Sequence, residues 1–544
     1  MTADLLEIDS DRSPRACWVP DMMFIKMQKQ ILFVALSLLV LCVPGFADDQ
    51  KPSSNTANLT VSPETTRATK PVRENGTVDY TAALNNALKG DVTPENNAAV
   101  LIVKAIGPNP DGMEYEFHVR LCEAMGVKPL PADAPGLVTF GKEDYGFEPP
   151  AEGGEFEDLN EIQDRAMDRP WQKEELPNAA LWVELNETAL NLVSEAVLKP
   201  GYFRPIISDE EHEDLLVYAL LPDVQASREI GRCLVGRAML HLGEKNYQAA
   251  ADDLLTLHRF ARKIAQGATL VENLVGYALE GIAFQADNRL IQQPDLPLDV
   301  CQKYRQQLSE IESFPNLAKS LDLGERYLAL QILQQIAITR MDAETLESLT
   351  SEASQGQLLE ELSQHSNLDW NLVFREVNSA YDQVVQILNE SSREDRIENL
   401  KTHYESLNLG EINPNLLRML KSRRADRITK EQITEAFVRA FLGMLLPAID
   451  SCSRAEARTL TYYELSLLGL QLREIQLKTG SYPAKLPEQT FDAFSGQPYQ
   501  YRVDEEEFTL YSVGENGRDD GGLGYHNDED QETDDLTVTS RAEK

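Results

Sequence analysis

At 544 residues, 42% of them hydrophobic, the chain has material for about two to four globular domains, which excludes wholesale disorder. Its formal net charge of −38 repels phosphate backbones and argues against nucleic acid as a partner. The same charge suits divalent cations, basic partners or salty surroundings, or simply keeps the chain soluble.

Near the amino terminus, Lys26 and Lys29 precede an unbroken apolar run from Ile31 to Val43. The small-residue site Gly45-Phe46-Ala47 and the pair Asp48-Asp49 follow. That order is the one a secretory leader needs, so residues 1–47 are read as a leader and the mature chain as periplasmic or secreted. The apolar run is shorter than the roughly 20 residues of a spanning helix, which leaves membrane attachment only through an uncleaved leader. Residues 48–76 are polar, rich in Ser, Thr and Pro and without periodicity, and read as a flexible tether.

Residues 77–455 read as an irregular helical array, a solenoid-like bundle. In "DVTPENNAAVLIVKAIG", Thr93 is the expected helix cap with Pro94 at the first helical position. The Pro/Gly/acid-rich stretch from Pro129 to Pro170 is expected to be a surface excursion. Beyond Leu176 the helical period dominates. Leu254, Leu257, Ala261 and Ile264 share one face, as do Leu270, Leu274, Ala278 and Gly281. The small residues Gly276, Ala278 and Gly281 invite a close helix neighbour, and no clean tetratricopeptide period recurs.

Residues 456–544 change pattern. One more helix, with Leu467, Leu468, Gln471, Leu472 and Ile475 on its buried side, ends at Gly480 with Pro483 beyond. Two period-2 runs, "YQYRV" and "FTLYSV", flank an acidic turn and predict an antiparallel hairpin. The glycine-rich stretch "YSVGENGRDDGG" then leads to an acidic tail.

That stretch is not a phosphate loop, because no lysine or helix pattern follows and Asp519-Asp520 would repel the ligand. It also lacks the spaced acids of an EF-hand. A solvated acidic turn and a loop that gathers oxygens round calcium both fit. Elsewhere the chemistry is sparse. Cys122, Cys233, Cys301 and Cys452 form no CxxC pair, which excludes a thiolate zinc site and leaves long-range disulfides or buried thiols open. No His-Glu-x-x-His is present, and His241 and His258 on adjacent predicted helices suit packing better than metal binding. The "DEEHED" run, Asp209–Asp214, suits a solvated turn better than a cation site. Trp171, Trp182 and Trp370 are expected in cores or seams.

The run "GSYPAKLP", "FDAFSGQPYQYR", "FTLYSVGENGRDDGG" and "DDLTV" resembles the carboxy-terminal domain of the major pseudopilin of type II secretion. The matching positions are Gly480, Tyr482, Pro483, Asp492, Gly496, Pro498, Tyr499 and Tyr501. The resemblance implies a small α+β module with a β-hairpin and a Gly/Asp loop that binds calcium through Asn516, Asp519, Asp520 and Asp535. The leader departs from the pseudopilin pattern, and a long helical body replaces the pilin stem. Nearly the whole mature chain, with "VTPENNAAV", "PWQKEELPNAALWVELNE", "LTLHRFARKIAQGATLVENLVGYALEGIA" and "GSYPAKLP…LYSVGENGRDDGG", resembles large uncharacterised exported proteins of planctomycete bacteria, a resemblance that supplies no activity.

The expectation is therefore a mainly α, exported, non-enzymatic interaction or scaffold protein with a calcium-stabilised C-terminal loop. Its partner would be another protein or a cell-envelope component. An accessory component of a type II secretion or surface-filament system is the first alternative. A hydrolase using paired carboxylates in the helical body is the second.

Overall fold

A computed structural model describes residues 59–541, apart from short segments at 111–112, 143–144, 148–158, 209–215, 217–220, 222, 340–352, 391–392, 408–412, 423–424, 505, 525 and 529–530. Residues 1–47, expected to be a leader, and the "DEEHED" run lie outside the described residues.

The first helices are α1 (Tyr80–Lys89), α2 (Ala98–Ile106), α3 (Tyr115–Met125), α4 (Leu159–Asp168) and α5 (Pro177–Ala196). The centre holds α6 (Asp223–Gly243), α7 (Tyr247–Ile264), α8 (Leu270–Ile291) and α9 (Leu298–Ser309). Next come α10 (Leu317–Ser320), a π-helical turn at Leu321–Glu325, and α11 (Arg326–Thr339). The last are α12 (Ala353–Ser363), α13 (Trp370–Leu388), α14 (Arg393–Leu407), α15 (Pro414–Leu420), α16 (Lys430–Leu445) and α17 (Pro447–Thr479). The fold is mainly helical, closed by a three-stranded antiparallel sheet near the C-terminus.

Helices α7 and α8 form the middle of the core. The expected face of α7 is buried, but so are Leu255, His258 and Phe260, because the helix is packed on several sides. Helix α8 lies against α6, α7 and α17. A methyl group at Gly276 would stand 2.6 Å from the Ala261 carbonyl oxygen of α7, so glycine is required for this approach. Thr269 and Glu272 form a capping box that satisfies the first N–H groups of α8. On its other side Phe284 stacks on Tyr462 of α17, ring centroids 4.5 Å apart.

Three local expectations are corrected. Helix α2 is capped by Asn97 rather than Thr93: the side-chain Oδ1 of Asn97 accepts the N–H groups of Ala99 and Phe203, so a distant segment sets the helix start. The Pro129–Pro170 stretch is not wholly superficial. Val138 is buried, its N–H held by Asn186 and its carbonyl by Trp182 and Asn186. The tether is fastened from residue 59 onward, because the Asn378 amide donates to the Thr65 carbonyl and Tyr80 donates to that of Thr66.

Trp171 and Trp182 are fully buried, and Trp370 packs edge-on against Phe437. Cys122, Cys233, Cys301 and Cys452 are buried free thiols. Among the described residues one helical run, Lys430–Thr479, is long and apolar enough to cross a membrane, and 56% of its apolar window is buried inside the fold.

Helix α17 passes straight through residue 456, the expected start of the terminal module, and ends at Gly480 in the left-handed conformation (φ 85°). Strands β1 (Gln500–Asp504) and β2 (Glu507–Ser512) form the expected hairpin, with Tyr501 opposite Leu510. A small ladder, β3 (His526–Asp528) with β4 (Gln531–Thr533), precedes β5 (Leu536–Thr539). Strand β5 pairs antiparallel with β2, giving the order β1-β2-β5. Phe508, Leu510 and Val538 are buried, and the sheet lies on α17 and α8.

Candidate metal centre

Beyond β2 the chain must turn sharply and return to β5. Asp492 prepares the turn from below. Its buried carboxylate accepts Ser512 Oγ at 2.8 Å and the Val513 N–H at 3.1 Å, while also holding Phe494 and Ser495 of its own loop. The loop then uses positive φ at Gly514 (67°), Gly517 (66°), Gly521 (75°) and Gly522 (80°). At Gly514 no other residue fits. A methyl group there would lie 2.3 Å from the Asp534 carbonyl oxygen and 2.5 Å from its Oδ1.

This close approach brings three carboxylates together. Ligand oxygens of Asp520, Asp534 and Asp535 all lie within 4.8 Å of one another. One oxygen of each adjacent aspartate is held by backbone: Asn516 N–H donates to Asp534 Oδ2 at 3.0 Å, and Gly522 N–H donates to Asp535 Oδ2 at 2.7 Å. The other oxygens, Asp534 Oδ1 and Asp535 Oδ1, are buried and accept no hydrogen bond of normal geometry. Asp534 is 9% exposed and Asp535 2%.

The electrostatics match that geometry. Burial, reinforced by the charges of Asp520 and Asp519, pushes the Asp535 carboxyl up to about 6 despite the backbone N–H groups that oppose it. Burial also raises Asp534. All donors are oxygen, and each neutralises positive charge, so the set suits a hard divalent cation such as calcium rather than a thiolate- or imidazole-loving metal.

Of the four ligands expected from the sequence, Asp520 and Asp535 stand in this cluster. Asp519 is turned away, its Oδ1 accepting the Tyr511 hydroxyl at 2.9 Å and the Gly521 N–H at 3.0 Å. Asn516 supports the cluster instead of facing it, its side-chain amide donating to Asp520 Oδ2 at 3.0 Å and its carbonyl accepting the Arg518 N–H. Asp534 is the residue that sequence reasoning missed. Its signal was the doubled aspartate before a short apolar run, from which only one partner was taken. Glu515 ties the loop to the helical body through Arg458 of α17, at 2.7 Å.

A second concentration of charge lies deep in the body. His258 of α7 stands between Glu280 (Nδ1 to Oε2, 2.9 Å) and Asp287 (Nε2 to Oδ2, 3.0 Å), both on α8. Arg262 reaches Glu280 at 2.9 Å, and the Tyr304 hydroxyl of α9 donates to Asp287. Burial works against a charge on His258, but Glu280 and Asp287 outweigh it and hold the imidazole up at about 9. The Arg262 guanidinium lies over the Phe314 and Tyr463 rings. Every charge here has an opposite partner, so the cluster joins α7, α8 and α9 rather than awaiting a ligand. His241 has a different companion, Asp253, at 3.7 Å.

No family model, curated protein or solved structure matches the chain.

Proposed function

We propose that this chain is an exported, non-enzymatic interaction or scaffold protein whose C-terminal module is stabilised by calcium. One observation carries the calcium part: two adjacent buried carboxylates each leave an oxygen without a hydrogen bond of normal geometry, in a cluster with a third carboxylate whose oxygens lie within 4.8 Å of theirs. Burying a charge without a partner is expensive, and a bound cation repays that cost by coordinating the free oxygens. The strongly shifted His258 and its carboxylate partners fasten helices to one another. The partner would be another protein or a cell-envelope component reached after export.

The pseudopilin likeness belongs to this reading. A long helix ending at Gly480, then a hairpin and a Gly/Asp loop, support it. It keeps an accessory role in a secretion or surface-filament system as the second reading. Calorimetric titration of the full chain with calcium chloride tests the first. Saturable binding that Asp534→Asn/Asp535→Asn abolishes supports it, and absence of binding by the wild-type chain sinks it.

A further inference from the structure

We propose that the cation acts as a latch: its occupancy fixes the terminal strand β5 onto α8 and α17, and the docking of β5 in turn sets the cation affinity. This rests on the calcium reading above and extends it from a stabilised loop to a coupled device.

Asp534 and Asp535 are the two residues immediately before Leu536, where β5 begins. The strand has only four residues, pairing with β2 along one edge. Its other edge is taken by side chains of α8: Asn288 Oδ1 accepts the Thr539 N–H at 3.1 Å, and Gln292 donates to the Thr539 carbonyl at 3.4 Å. Val538 is fully buried over Gly469 of α17, where an added methyl group would come within 2.6 Å of its side chain. So short a strand has few bonds of its own to fix its start. That start is held at Asp534 and Asp535, and there three carboxylates crowd together.

The two ends of the cluster come from different chain segments. Asp520 belongs to the glycine loop and Asp534-Asp535 to the approach to β5, so a shared cation closes the intervening chain as a cross-link does. Without it the same carboxylates repel, and the force falls on the first residues of β5. With it the Asp534 and Asp535 backbone is fixed, and Leu536 and Val538 are presented to their sites on the helices. Coupling of this kind is reciprocal: the factor by which the cation favours docked β5 is the factor by which docking favours the cation, so loosening β5 at its far end weakens binding.

The test uses the full chain at constant pH, with calcium chloride or a chelator, and reads amide hydrogen exchange. Calcium is expected to slow exchange in residues 536–541 by about ten-fold or more under conditions where those amides exchange by local opening, before the core of α7 exchanges at all. In parallel, Asn288→Ala, which touches no ligand, is expected to weaken calcium binding by about five-fold or more. If calcium binds but β5 exchange is the same in both solutions, the latch is overturned and the calcium site stands. If Asn288→Ala binds calcium as tightly as the wild type, the reciprocal coupling is overturned too. If the wild-type chain binds no calcium at all, the underlying reading fails first.

Discussion

Glu515 and Arg458 join the glycine loop to the longest helix through a 2.7 Å ion pair, only one residue away from the Asn516 N–H that holds Asp534. The loop that gathers the carboxylates is thereby referenced to α17 as well as to the sheet. Arg458 is 9% exposed, so its partner counts for more than a surface contact would. Replacing Arg458 with Ala is expected to destabilise the chain by about 1–3 kcal/mol and to lower the calcium response. Denaturant unfolding with and without calcium measures both.

The ligand assignment makes a sharper contrast. Asp534→Asn/Asp535→Asn should raise the melting temperature in chelator, because two crowded charges are removed, and should abolish any further rise on adding calcium. Wild-type chain should gain about 2.7 kcal/mol when free calcium is about a hundred-fold above Kd. Asp519→Ala should still bind calcium, since that carboxylate serves Tyr511 and Gly521. Loss of binding in Asp519→Ala with retention in the double variant would reverse the assignment.

Gly514→Ala tests the backbone requirement. At φ 67° an L-residue is strained, and its methyl group would press on the Asp534 carbonyl. A cost of about 2 kcal/mol or more is expected, with weaker calcium binding, whereas Gly517→Ala meets open space and should cost only its own φ strain. Thermal melts of the pair separate crowding from strain.

The His258 cluster fixes a pH dependence. Its folded pKa of about 9 lies above the ordinary value of 6.5, so the stabilisation is complete below about pH 6.5 and disappears as pH rises through about 9. The contribution is on the order of 3 kcal/mol. His258→Gln should remove this alkaline loss and destabilise the chain at neutral pH by about 3–5 kcal/mol, because Glu280 and Asp287 stay buried with one cation fewer. Unfolding free energies measured between pH 6 and pH 10 decide the matter. A flat profile for the wild type would remove the basis for a charged imidazole.

Much of the architecture was legible because period and punctuation are local. The hairpin follows from alternating Tyr499, Tyr501 and Val503, and the end of α17 from Gly480. The cap of α2 was not legible, since Asn97 is chosen over Thr93 by a bond to Phe203, a residue distant in the chain. The same limit governs the site. Asp520 and Asp535 could be named from their loop, but whether Asp519 or Asp534 joins them depends on Tyr511 capturing one and Gly514 admitting the other. His258, Glu280 and Asp287 carry no motif at all, because their pairing exists only between packed helices.

Helix α17 spans 33 residues, a length of about 50 Å, and is uninterrupted where the body was expected to give way to the terminal module. It packs on α8 and α9 as far along as Arg473 and Glu474 while also underlying the sheet, so body and sheet share one continuous helix. Mechanically, sheet and bundle share one stiff shaft, and a load on the sheet passes directly into the helices beneath it.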